Sequence, residues 1–164
     1  MFEEGGPIPA PFTGQFGLIA EGGIRKPSYY DFSLLHQLGD VELPNTSKDA
    51  IVTRTKDGAL AIAVWNLVDP GKGGVVKGPE KDIQLNFTGL PAGATATVSR
   101  VDNEHGNTLA LYKKMGSPVY PTMAQVKELN EESALPPPTR RKIVDGHLNL
   151  KLEPNALLLI KVKE

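Results

Sequence analysis

The chain has 164 residues, enough for one domain with a core of its own, and its 18 basic and 19 acidic side chains leave a formal net charge of -1. That balance gives no electrostatic basis for binding nucleic acid or an anionic membrane surface. The absence of cysteine excludes disulfides, thiol catalysis and thiolate metal sites. No apolar run reaches membrane-spanning length, and no basic stretch followed by an apolar one marks a leader, so a soluble, cytoplasmic protein is expected. The sequons at Asn45 and Asn86 are read as chance matches. High glycine and proline counts, 17 and 14, cut the chain into short segments and favour a mainly β fold.

Residues 1–25 form an irregular lead in which Pro7, Pro9 and Pro11 cannot donate to a ladder. The lead nevertheless carries Phe2, Phe12, Phe16, Leu18 and Ile19, too many large apolar groups for a flexible linker. Residues 27–38 are expected to be helical: Pro27 suits a first helical position, Tyr30, Leu34 and Leu38 recur every four residues, and Gly39 can stop the helix. A second helix is expected over 122–132, started by Pro121 and Thr122, with Met123, Val126 and Leu129 on one face. The remainder alternates like strands. Residues 50–55 and 60–67 flank an Asp57-Gly58 turn, and Ile83, Leu85 and Phe87 alternate with polar residues. Residues 95–101 alternate again, Asp145-Gly146 marks another turn before Leu148, Leu150 and Leu152, and 157–162 is the last strand. Six or seven strands with short turns suit an antiparallel β-sandwich. The basic groups at 113–114 and 140–142 are read as solvated faces.

Few residues offer chemistry. Glu3 and Glu4 are adjacent, and successive strand residues point to opposite faces, so they cannot form an acid/nucleophile pair. His36, His105 and His147 are too scattered for a metal site, and no cofactor is expected. Asp102, His105 and Asn107 read as a strand-ending turn braced by side-chain hydrogen bonds. Ser117, followed by proline, lacks the surroundings of a hydrolase nucleophile. Trp65 lies on a strand apolar on both faces, which favours burial in the core over a sugar-stacking platform; Tyr112 and Tyr120 are weaker platform candidates. The Gly/Lys-rich stretch 68–79 lacks phosphate-loop spacing.

Three stretches, co-linear over nearly the whole chain, resemble glycoside hydrolase family 39. They are Phe2-Glu3-Glu4-Gly5 with the Pro11-Phe12-Thr13-Gly14 run that follows; Gly23-Ile24-Arg25-Lys26-Pro27-Ser28-Tyr29-Tyr30 with Leu34-Leu35-His36; and Arg100-Val101-Asp102-Asn103-Glu104-His105-Gly106-Asn107 with Met115-Gly116-Ser117-Pro118. The resemblance implies that residues 1–40 are the remnant of the last strand, loop and helix of a (β/α)8 barrel, and that 41–164 form the C-terminal β-sandwich. It implies a retaining β-xylosidase whose two glutamates, about 5–5.5 Å apart across the glycosidic bond, lie upstream of Met1. No catalytic residue is then assigned in this chain, and the fragment is expected to be inactive alone. Glu4 matches a glutamate lining the sugar subsite, a role it would fill only in a complete barrel, where the ligand would be a xylosyl-containing saccharide. The apolar lead is expected to drive self-association through residues 1–40. The competing reading is a free-standing β-sandwich module that binds carbohydrate or protein.

Overall fold

The computed structural model describes residues 10–14, 16–69 and 77–163. Two very short strands, β1 (Ile19–Ala20) and β2 (Ile24–Arg25), pair around a 3₁₀ turn and lead into α1 (Pro27–Leu35). Then come β3 (Val41–Leu43), β4 (Ala50–Arg54), β5 (Leu60–Trp65), β6 (Lys81–Asn86) and β7 (Thr95–Val101). Two helices, α2 (Thr108–Lys114) and α3 (Met123–Glu132), precede β8 (Thr139–Lys142), β9 (His147–Leu152) and β10 (Leu157–Val162). The fold is mainly β with antiparallel pairing throughout. A six-stranded sheet has the order β3-β4-β5-β10-β7-β8, and β6 and β9 pair as a separate two-stranded sheet.

Cross-strand register explains the core. On one face of the large sheet, three rows run across the strands: Ala50, Val64, Leu158, Arg100; then Val52, Ile62, Ile160, Val98, Thr139; then Arg54, Leu60, Val162, Ala96, Arg141. The middle of every row is aliphatic, and these side chains pack with Leu148, Leu150 and Leu152 of β9 and Ile83 and Leu85 of β6 into the larger core. The period-two alternation of β9, buried at every second residue, is what a strand with one wet face requires. On the opposite face, Ala63, Leu157, Leu159 and Val101 receive Tyr30 and Leu34 of α1. The alanines at 61 and 63, 0% and 1% exposed, leave room for the helix to approach.

Turn chemistry follows the sequence. Gly58 takes φ +86 in the β4–β5 hairpin, closed by Thr55 N–H donating to the Ala59 carbonyl at 2.9 Å. Asp145 (φ +49) and Gly146 (φ +77) make the tight turn between Val144 and His147. That turn does not join a hairpin within one sheet: β8 lies in the large sheet and β9 in the small one. Gly39 is not the helix stop. His36 caps α1, and Gly39 sits where a Cβ would collide with the Arg54 carbonyl, its N–H donating to Thr53 Oγ1 at 2.7 Å.

The expectation of a single further helix is corrected: among the described residues there are two, α2 and α3. Asn107 caps α2 by accepting from Ala110 N–H at 3.1 Å. Its other end is a Schellman motif, with Gly116 (φ +91) donating to Lys113 O and Ser117 to Tyr112 O. Thr122 and Gln125 form the capping box of α3. The basic group at 140–142 is also part of a strand, β8, exposed along its whole length.

A third cluster holds Ala20, Ile24, Tyr112, Val126 and Leu129, with the Phe12 ring tilted against Tyr112, centroids 5.0 Å apart. The described part of the lead thus packs on α2 and α3 within its own chain, while Phe16 stays 84% exposed. Three buried hydroxyls tie the helices together. Thr108 Oγ1 donates to Ser133 Oγ at 2.8 Å, Ser133 Oγ donates to the Leu129 carbonyl at 2.6 Å, and Tyr30 Oη lies 3.2 Å from Ser133 Oγ.

Ile160, fully buried at the centre of the second row, tests this arrangement. Ile160→Ala should lower unfolding free energy by about 2–5 kcal/mol, read from urea denaturation with an unchanged slope. A cost below about 1 kcal/mol would place β10 at an edge rather than in the centre.

Candidate functional site

Glu3 and Glu4, the carboxylates of the sugar-subsite reading, lie outside the described residues, as does Phe2. The other sequence candidates are accounted for structurally. His36 ends α1, and His147 Nδ1 lies 2.7 Å from Asn86 Oδ1 on an exposed surface. No group of three or more His, Cys, Asp or Glu able to hold a metal occurs among the described residues. Ser117 is exposed at φ +51 and serves the helix end described above. Tyr112 is buried, its hydroxyl donating to the Pro118 carbonyl at 2.9 Å, and burial raises its pKa. Tyr120 is 85% exposed. Trp65 packs against the α1 core cluster beside Leu157, half-buried rather than fully enclosed.

Asp102, His105 and Asn107 do form a braced turn. One Asp102 carboxylate oxygen accepts from Glu104 N–H at 3.0 Å and His105 N–H at 2.9 Å, and lies 2.7 Å from His105 Nδ1. Its other oxygen is 3.4 Å from Arg100 Nη1. Burial alone would push this carboxyl up, but the donors from His105 and Glu104 outweigh it and hold the pKa below the usual value. Asn107 also donates to the Asn103 carbonyl at 3.1 Å. The Asp102 carboxylate, His105 Nδ1 and the Asn107 amide are thus engaged in shaping the chain between β7 and α2.

Two features escape a reading by composition. Lys26, at the start of α1, is only 9% exposed. Asp31, on the same helix, has its carboxyl pushed up to about 6 by burial. Helix α1 is apolar around most of its circumference: Tyr30 and Leu34 face the sheet, whereas Phe32 beside Asp31 is 59% exposed. A single charge within so apolar a helix was the available signal for Asp31. Arg25 lies over the Tyr29 ring at 5.3 Å, and Asn130 braces the β1–β2 turn through Arg25 N–H and the Gly23 carbonyl. The β1–β2 turn, α1 and α3 are therefore fixed to one another.

With this geometry in place, the comparisons define first a class, the glycoside hydrolases. Residues 1–144 match the family described as "Glycosyl hydrolases family 39". The chain belongs to that family. It is 33% identical over its whole length to a β-xylosidase of Geobacillus stearothermophilus, of which it covers 32%. It is 28% identical to a β-xylosidase of Caldicellulosiruptor saccharolyticus, covering 34%. Among solved structures, a monomeric β-xylosidase of Caulobacter crescentus superposes with a TM-score of 0.76 at 28% identity, over 98% of this chain and 35% of that one. The chain thus spans about a third of the length of these relatives.

The half-buried carboxyl on α1 has a pH signature. Asp31 in the folded chain, with a pKa of about 6, keeps its proton where the unfolded chain, at 3.8, has lost it. Stability should therefore fall as pH rises through the window from about 4 to about 6. Asp31→Asn should flatten that window and raise the thermal midpoint at pH 7. An unchanged midpoint there would show that the carboxyl is not desolvated.

Proposed function

We propose that this chain is the C-terminal part of a retaining β-xylosidase-like glycoside hydrolase, with both catalytic glutamates supplied by a portion of the enzyme outside it. The carrying observation is the full-length alignment, at 33% identity, with a β-xylosidase of which the chain covers 32%. In this reading residues 1–40 complete the end of a (β/α)8 barrel, whose active sites gather residues from the ends of several strands. Residues 41–164 form a β-sandwich flanking the barrel. The apolar character of α1 supports the division, since a barrel helix buries more than one side. Glu4 would line the sugar subsite of the complete enzyme, accepting hydrogen bonds from xylose hydroxyls. Its carboxylate can tighten on those hydroxyls as the ring distorts towards the transition state. The substrate of the whole enzyme is a saccharide ending in β-linked xylose.

The purified chain should not hydrolyse p-nitrophenyl β-xyloside, because positioning without a nucleophile and an acid cannot cleave the bond. Release of nitrophenol that copurifies with the chain and disappears in Glu4→Gln would sink the proposal.

Self-association belongs to the same reading. Phe16 and Phe32 are 84% and 59% exposed, apolar surface that a complete barrel would cover. Sedimentation of the 164-residue chain should show a concentration-dependent dimer, and the double variant Phe16→Ser/Phe32→Ser should be a monomer. Identical monomeric behaviour of the two would mean that these rings need no partner.

A further inference from the structure

Two strands cannot cover six, and the side of the large sheet towards β8 is where the cover runs out. The three aliphatic rows change character there. Arg100 succeeds Leu158, Thr139 succeeds Val98, and Arg141 succeeds Ala96, all on the face that elsewhere is core. Two cavities open onto this margin, about 520 Å³ and about 320 Å³, and Arg100 and Arg141 line both. They are thus one cleft with two guanidinium groups at its waist, in the size range of about 300–1,000 Å³ usual for ligand sites.

The cleft's chemistry is specific. Arg100 is oriented from behind by Asp102, and Asp102 is itself fixed by the turn's donors. The Arg141 side chain has no ion pair or hydrogen bond among the described residues, and Arg100 and Arg141 both lie on strands rather than loops. Lys151 stands at one end, engaged with Glu80, with Asp82 nearby. Gln84 donates to Asn149 at 3.1 Å, which leaves amide groups of both facing the cleft. The floor includes Ile83 and Leu150, and Val98 in the smaller lobe. No tryptophan, tyrosine or phenylalanine lines either lobe, so stacking cannot supply the binding energy for a neutral sugar. Planar guanidinium forks match carboxylates in a bidentate manner.

We propose that this cleft binds an acidic oligosaccharide, with Arg141, assisted by Arg100, gripping a uronate carboxylate. The aliphatic floor would meet sugar C–H faces, and the Gln84–Asn149 amides would meet hydroxyls. The site is on the opposite face of the large sheet from α1. It rests on the cleft's own side chains and on membership of a carbohydrate-active family, not on the xylosidase reading. The rival explanation is that charge on β8 only protects an edge strand from pairing with another chain. That device would not need Arg141 in particular. Arg140 points to the other face, paired with Thr97, and would serve it equally.

The test is an amide-shift NMR titration of the 164-residue chain with trigalacturonate, with its carboxyl-reduced counterpart and with inorganic phosphate as controls. Saturable shifts confined to β7, β8 and the β6–β9 pair are expected with trigalacturonate. Binding should weaken at least tenfold in Arg141→Gln and for the reduced trimer, and stay unchanged in Arg140→Gln. Equal weakening by both arginine variants would reduce the effect to general surface charge. Shifts as large with phosphate would mean an adventitious ion only, and an absence of saturable shifts would remove the site altogether. Any of these three results overturns the proposal.

Discussion

Everything in this fold hangs on β10. Its five residues Leu157–Ile160 and Val162 are at most 8% exposed, and it pairs over six residues with β5 on one side and six with β7 on the other. Because strand side chains alternate, Leu158, Ile160 and Val162 enter one core while Leu157 and Leu159 enter the other. Strands buried on both faces read as continuous apolar runs, and Leu-Leu-Leu-Ile is such a run. Slipping its register by one residue would exchange the two cores and send Lys161 inward. In the native register Lys161 reaches the surface and donates to Gln37 at 2.9 Å.

The second constraint is the meeting of three helices far apart in sequence. Ser133, just past α3, accepts from Thr108, donates to Leu129 and touches Tyr30, so one buried hydroxyl is saturated by residues from α1, α2 and α3. Buried hydroxyls are costly unless paired, and a fully paired set fixes relative positions more sharply than aliphatic contact alone. This network, together with Asn130 at the β1–β2 turn, holds that turn and α1 against the rest of the molecule.

Local signals made much of this visible in the sequence. Asp57-Gly58 and Asp145-Gly146 both mark turns, Pro27 and Thr122 mark helix starts, and the alternation in 95–101 and 157–162 matches β7 and β10. Helix α2 was hidden although Asn107 is a good cap, because the segment is only seven residues long and the Asp102–His105 turn beside it dominates the local pattern. Sheet order was not legible: β9 follows β8 by a tight turn yet leaves its sheet, a choice made by burial of Leu148, Leu150 and Leu152 rather than by the turn. Of the candidate sites, the braced turn at Asp102 could be read from its run of turn-forming residues. The cleft could not, since Arg100 and Arg141 share a face only through the β7–β8 register. Family membership came from co-linear short matches, each weak alone, which no single element of the fold would have supplied.

The position of β10 in the chain has a consequence for how the protein is made. The middle strand of the sheet follows all its neighbours in sequence, so a chain emerging from the ribosome presents the β4–β5 hairpin and β7 before the strand that joins them exists. Until then each offers an unpaired backbone edge and an uncovered aliphatic row, the conditions under which strands pair with the wrong molecule. Both ladders of β10 wait for that moment, although β7 and β8 can already pair, and this deferred non-local pairing is expected to slow assembly. The strand that joins the two halves of the sheet is thus also the one that removes the open edges of β5 and β7.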